Sequence, residues 1–168
     1  MNTFTIRRLN ESDVDDFRRV RLEALRLHPE AFGASWEEWS LKPDQFFAER
    51  LRNNVVFGGF DLNNTLLGIM GLQFNTAPKL SHVATLWGMY VRAEMRGSGL
   101  ASGLIAAALE AGKEVRTLQL SVVTTNQAAC ALYRSAGFTE WATDTGALCV
   151  NGVFYDEFLM RRDSVTCR

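Results

Sequence analysis

Residues 90–101, Tyr90-Val91-Arg92-Ala93-Glu94-Met95-Arg96-Gly97-Ser98-Gly99-Leu100-Ala101, lead from an apolar run through a glycine-containing turn into a segment of helical spacing. Upstream, His82 to Val91 is long and mostly apolar, which predicts a central strand. Downstream, Leu100, Leu104, Ile105, Ala108 and Leu109 share one helical face, which predicts a helix from Leu100 to Val115 that ends near Gly112 and Lys113. A strand, turn and helix joined in this way form an anion cradle. Gly97 and Gly99 remove side chains where a ligand approaches the backbone, and the unpaired N–H groups of the first helical turn point at the same place. Ser98 adds a hydroxyl donor. No Gly-Lys-Ser/Thr follows the turn, and no G-x-G-x-x-G opens a βαβ unit near the N-terminus, so the P-loop and the dinucleotide fingerprint are both excluded.

Outward from this turn, elements alternate without a linker, repeat or low-complexity stretch. Ile6 lies in a short extended opening, and Ser12-Asp13-Val14-Asp15 reads as a capping box before a first helix. That helix carries Val14, Phe17, Ala24 and Leu25 on one face and stops at Pro29. Ala34 to Arg52 predicts two short helices separated at Pro43, with Ser35 as a cap. Val55–Phe60 and Leu66–Phe74, joined by Asp61-Leu62-Asn63-Asn64-Thr65, predict a hairpin. Leu118, Leu120 and Val122 alternate as a strand, after which Asn126 caps a short helix that ends at Gly137. Phe138–Trp141 and Leu148–Met160 close the chain as two strands joined by a polar loop through Asp144 and Gly146.

The 168 residues are 47% hydrophobic and 22% charged, with mean hydropathy −0.06, which suits one α/β domain over 1–168 with its core at about 4–162. A net charge of −1 and the absence of a basic stripe argue against nucleic acid as a partner. No apolar run reaches the length of a signal peptide or of a membrane span, about 20 residues, so a cytoplasmic protein is expected. Cys130, Cys149 and Cys167 form no C-x-x-C, and the histidines are His28 and His82 alone. We therefore expect free thiols, with Cys130 and Cys149 buried, and no metal site.

Arg96-Gly97-Ser98-Gly99-Leu100-Ala101 matches Arg/Gln-x-x-Gly-x-Gly/Ala, and in this the chain resembles the GNAT superfamily of acyl-CoA-dependent N-acetyltransferases. A second block, Asn126, Ala129, Leu132-Tyr133 and Gly137-Phe138, is similar to that family's N-x-x-A-x-x-L-Y-x-x-x-G-F pattern. The opening, Ile6-Arg7-Arg8-Leu9, Arg21-Leu22-Glu23-Ala24-Leu25 and Pro29-Glu30-Ala31-Phe32-Gly33, and the closing Tyr155-Asp156-Glu157 with Met160 extend the likeness over nearly the whole chain.

The resemblance implies a mostly antiparallel, V-shaped sheet of about six to seven strands with about four helices, its strands splaying to admit acetyl-CoA as cosubstrate. It places the pyrophosphate on Arg96, Gly97, Ser98, Gly99, Leu100 and Ala101, and the pantetheine arm between Met89, Tyr90, Val91 and Asn126. Tyr133 matches the family's general acid, and a backbone N–H near Tyr90 would polarise the thioester carbonyl. The glutamate that some relatives carry on the central strand is replaced by Thr85, so His82, Glu37, Glu38 and Asp156 are the candidates for a base. Trp36, Trp39, Phe46, Phe47 and Trp87 serve either as an acceptor pocket or as core. The activity implied is acetyl transfer to a primary amine of a small molecule or peptide by direct attack in a ternary complex, with a homodimer by analogy. The rival readings are a CoA-holding sensor or interaction module and a nucleotide-binding regulator.

Overall fold

A run of β-branched, aromatic and leucine residues punctuated by glycine builds the sheet of the computed structural model, which describes residues 3–164. Its strands are β1 (Thr5–Arg8), β2 (Val55–Phe60), β3 (Leu66–Phe74), β4 (Val83–Val91), β5 (Thr117–Val123), β6 (Thr139–Val150) and β7 (Val153–Asp163). They form one sheet in the order β1-β2-β3-β4-β5-β7-β6. Every neighbouring pair is antiparallel except β4 with β5. The α-helices are α1 (Val14–Leu27), α2 (Trp36–Trp39), α3 (Asp44–Asn53), α4 (Leu100–Ala111) and α5 (Gln127–Ser135), five where about four were expected because the Trp36–Trp39 turn stands alone.

Two apolar clusters lie on the two faces of the sheet. On one, Leu100, Leu104, Ile105 and Ala108 of α4 meet Met70, Leu72, Leu86, Leu118, Leu120 and Met160. On the other, Phe17, Val20, Ala24 and Leu25 of α1, with Trp39, Phe47 and Leu51, meet Val56, Phe60, Ile69 and Tyr90. Helix α4 sits so close that a Cβ on Gly59 would fall 2.3 Å from Leu100 Cδ1, so β2 needs glycine there. Ser35 caps α2 through Glu38 N–H (3.2 Å), as expected.

Three local expectations are corrected. Asn10, not Ser12, opens the first helical segment: its side chain accepts from Ser12 N–H while Asp13 accepts from Asn10 N–H, and Ser12 Oγ donates to Asn10 Oδ1. The Asp144–Gly146 stretch is not a loop but an irregular part of β6, where the register with β7 shifts between Asp144 and Leu148. The turn lies instead at Asn151-Gly152, whose φ values of 49° and 79° belong to the left-handed region that a two-residue hairpin turn requires. Cys130 is buried, but Cys149 on β6 is exposed, and Cys167 lies outside the described residues. Among the described residues no helix is long and apolar enough to cross a membrane, and no group of His, Cys, Asp or Glu is arranged to hold a metal.

Candidate functional site

The site starts from a defect in strand pairing. Strands β4 and β5 pair only through Val83↔Thr117, Ala84↔Leu118 and Thr85↔Gln119; beyond Thr85 they part. Leu120–Val123 then pair with β7 alone, and Leu86–Val91 with β3 alone. On β4 the pairing slips by one residue opposite Met70, where Gly88 takes φ 68°, a bulge that re-aims the strand at the fork. Arg92 N–H donates to Leu67 C=O (2.9 Å), and Tyr90 lies opposite Ile69. By the alternation of an antiparallel ladder, Tyr90's amide therefore faces β3, while the C=O of Met89 and both polar groups of Val91 face the fork. Tyr90's own amide is thus turned away from the fork, and the fork-facing amides near it lie on either side. Its hydroxyl donates to Glu23 Oε2 (2.9 Å), which also meets Arg92 Nε at 3.1 Å, and burial first, then this hydrogen bond, push the phenol up to about 12.

A cleft of about 500 Å³ fills the fork, walled by Met89, Tyr90 and Val91 on one side and Val123, Asn126 and Ala129 on the other. Arg96 and Ala101 border it where the glycine turn joins α4. Gly97 and Gly99 have φ of 76° and 89°, and a Cβ at either would meet nothing within 4 Å, so the turn is open on its ligand side. Gly99 serves as the N-cap of α4 without a side chain of its own, and no acid occupies the first turn, leaving the first-turn N–H groups other than that of Leu100 to an anion. The Ser98 hydroxyl is not free to join them: it donates to Met95 C=O (2.6 Å) and accepts from Leu100 N–H (3.2 Å). Leu100's side chain is fully buried and its N–H is taken by Ser98, so it supports the turn and not the anion. Asn126 caps α5 by accepting from Ala129 N–H (3.2 Å) at the cleft wall.

Tyr133 lies on α5, edge-on to Phe138 with ring centroids 5.9 Å apart. Burial, with a smaller push from Cys130, raises its phenol well above the ordinary tyrosine range, so it holds its proton at neutral pH. Its hydroxyl makes no hydrogen bond to any described residue.

The candidate bases scatter. His82 is exposed just before β4 at the paired end of the fork, roughly 20 Å from Met89 at about 3.3 Å per residue, and is removed from the site. Thr85 Oγ1 accepts from Gln119 Nε2 (3.1 Å) at the last rung. Asp156 accepts from Gly146 N–H (2.8 Å), and Glu37 and Glu38 are exposed on α2. The cleft instead receives His28 and Glu30 from the segment after α1, residues the sequence reading did not single out as catalytic. The stop at Pro29 marks where α1 ends, but tertiary packing and not the sequence carries the segment after it to the cleft.

Of the aromatic candidates, Trp39 and Phe47 are core, Phe46 and Trp87 pack against it, and exposed Trp36 borders a second cavity of about 490 Å³ between 29–37 and the β6–β7 turn. Phe32 borders both cavities. Behind it, Arg21 lies in the core stripe of α1 with its guanidinium 5.1 Å from the Phe32 ring, 4.7 Å from Trp39 and 5.4 Å from Trp87. Burial, then the nearby charge of Arg50, push it down to about 10, still protonated at neutral pH.

The sequence profile described as the acetyltransferase (GNAT) family matches residues 14–138. An uncharacterised N-acetyltransferase of Methanocaldococcus jannaschii is 26% identical over 146 residues, covering 83% of this chain and 62% of that protein, so the chain spans less than two thirds of that relative. Among solved structures, an acetyltransferase of the GNAT family from Streptococcus pneumoniae superposes with a TM-score of 0.84 at 23% identity, covering 96% of this chain and 99% of that one. The yncA protein of Salmonella typhimurium, a putative acetyltransferase solved with its cofactor acetyl-CoA, gives 0.80 at 17% identity, covering 99% and 96%.

Proposed function

Because this chain belongs to the GNAT acetyltransferase family, we propose that it moves an acetyl group from acetyl-CoA to a primary amine of a small molecule or peptide by direct attack in a ternary complex. The observation that carries the reading is the joining, in one cleft, of an unpaired strand fork with an open, acid-free helix N-terminus. The fork offers Met89 C=O and Val91 N–H to the amide groups of an extended arm, and the turn from Arg96 to Ala101 offers backbone N–H groups to a diphosphate. Asn126 closes the same arm from the β5 side.

Acetyl-CoA supplies an acyl group already activated as a thioester. Peptide geometry turns the Gly88 N–H, at the bulge just before Tyr90, into the fork, where it donates to the carbonyl oxygen as charge develops there. Tyr133, held protonated by burial, gives its proton to the departing sulfur. His28, at the C-terminal end of α1 and bordering the cleft, takes the proton that the acceptor ammonium loses before its nitrogen attacks, directly or through water. The absence of a carboxylate at Thr85 favours a second reading, a protein of this fold that holds CoA without turnover.

Isothermal titration with acetyl-CoA, CoA and ATP, followed by thiol release against amines, amino acids and peptides, separates these readings. Acetyl-CoA binding with release supports transfer; binding without release across the panel supports the holding role; tighter binding of ATP would sink both. His28→Gln should lower kcat/KM by about 100-fold while acetyl-CoA still binds.

A further inference from the structure

Arg21 is 5% exposed, and among the described residues neither its Nε nor its Nη1 has a hydrogen-bond partner. None of the ion pairs among the described residues includes Arg21 or its neighbour Arg50. A buried, unpaired guanidinium is among the most unfavourable arrangements a core can hold, and the Phe32, Trp39 and Trp87 rings offset only part of that penalty. Arg50 adds a second cation, 5.4 Å above the Trp39 ring and 4.7 Å above Phe46. Two guanidinium groups thus stand around one indole, and neither is in an ion pair with a carboxylate of the described residues, which suits the pair to an anion from outside the chain.

The position of that site limits what the anion can belong to. A Cβ on Gly88 would fall 3.2 Å from Arg21 Nη1, so the guanidinium rests against the bulge that turns an N–H into the fork. Arg21 itself borders neither neighbouring cavity, but Phe32, half-buried and 5.1 Å from its guanidinium, borders both, so a ligand that reaches the guanidinium must turn Phe32 aside. The turn proposed for the diphosphate borders the cleft through Arg96 and Ala101, whereas Arg21 lies against Gly88 and Phe32, so the two positive centres are distinct.

We propose that Arg21, reinforced by Arg50, binds the carboxylate of the acceptor, so that the acceptor is an amino-acid-like molecule whose amine lies a few bonds from a carboxylate. The planar fork of arginine suits a two-pronged grip on a carboxylate, and the aromatic rings fix its plane. The adjacency of Arg21 to the bulge sets the short spacing between carboxylate and amine. The acceptor role rests on the acetyl-transfer reading, whereas the anion site itself does not.

The test uses the two indoles that flank the guanidinium. Tryptophan fluorescence of the full chain is titrated with N-acetylalanine, N-acetylphenylalanine and N-acetylglutamate, each compared with its carboxamide. The carboxylates should bind at least tenfold more tightly than the carboxamides, and Arg21→Met should bring that ratio close to one. Arg21→Lys, which keeps the charge and loses the fork, should fall between them and serves as the probe if the methionine variant fails to fold. Arg21→Met should also melt at a temperature no lower than the parent, since it removes an unpaired buried charge; a guanidinium kept only for packing would lower it. Equal affinity for carboxylates and carboxamides in the parent, or a preference that survives in folded Arg21→Met, overturns the anion site. Calorimetry with acetyl-CoA on the same samples judges the other premise: its failure to bind would remove the acceptor role while the fluorescence result still decides the anion site.

Discussion

At the scale of single residues, buried ionisable groups divide into those with partners and those without, and the two classes make opposite predictions. Asp13 has partners: Arg7 donates to both its oxygens (2.8 and 2.9 Å) and Asn10 N–H to one of them (2.9 Å). The Arg7 hydrogen bond, partly opposed by burial and then aided by Asn10, holds its carboxyl below the ordinary value of 3.8. A depressed carboxyl contributes stability that is complete above its unfolded value and disappears as pH falls through the folded one. Asp13→Asn should therefore lower unfolding free energy by about 1–3 kcal/mol at pH 7, and urea titrations should show the gap closing below 3.8; a pH-independent gap would reject the ionic account. Tyr133 has no such partner; it is buried, on the same helix as Ala129 and Leu132 of the cleft wall. Tyr133→Phe should leave acetyl-CoA affinity within about twofold and lower kcat by about 100-fold, and unchanged turnover would end its role as acid. Arg21 was legible in retrospect, because Phe17, Arg21 and Ala24 fall on one face at i, i+4 and i+7, yet an arginine in an amphipathic helix ordinarily reads as its polar side.

At the scale of elements, the strand, turn and helix that open the cleft were readable because their chemistry is local: glycine at positive φ, an acid-free N-terminus and a helical apolar stripe all sit within a few residues of one another. Gly99 is the sharpest instance. Its φ of 89° strains any other residue, and its missing Cβ points into open space on the ligand side. Gly99→Val should cost about 1–2 kcal/mol of stability and weaken acetyl-CoA binding by about 100-fold or more, a loss of affinity exceeding what strain alone produces. A variant whose affinity falls no further than its stability would assign the glycine to the turn and not to the ligand. The β6–β7 hairpin was misplaced for an equally local reason. Asp144-Thr145-Gly146 and Asn151-Gly152 carry the same turn chemistry, and only the pairing of Leu148 with Tyr155 and Val150 with Val153 decides between them. His28 and Glu30 were missed because a loop's destination across a sheet edge depends on tertiary packing and leaves no period in the chain.

At the scale of the whole molecule, the fork is a place where the sheet has given up pairing, and the energetic consequence reaches beyond the cleft. Leu86–Val91 and Leu120–Val123 belong to adjacent strands, yet three rungs at the base are all that join them. The β5-β7-β6 half of the sheet therefore leans on the β1–β4 half through those rungs and the apolar cluster beneath α4 and α5. A ligand arm lying in the fork would bridge the two halves as a missing strand does, so binding should stabilise both together. At a hundredfold excess over Kd, acetyl-CoA should add about 2.7 kcal/mol, which for a chain of this size corresponds to a rise in Tm of about 5–10 °C. Hydrogen exchange should slow at Val91 and along Leu120–Val123 in the same titration, while amides of β1 and β2 away from the fork change no more than the global shift requires. ATP, which has a diphosphate but no pantetheine arm, should give neither effect. A rise in Tm without added protection at the fork would place the ligand on the glycine turn alone, and the two halves of the sheet would then be joined by their core and not by the substrate.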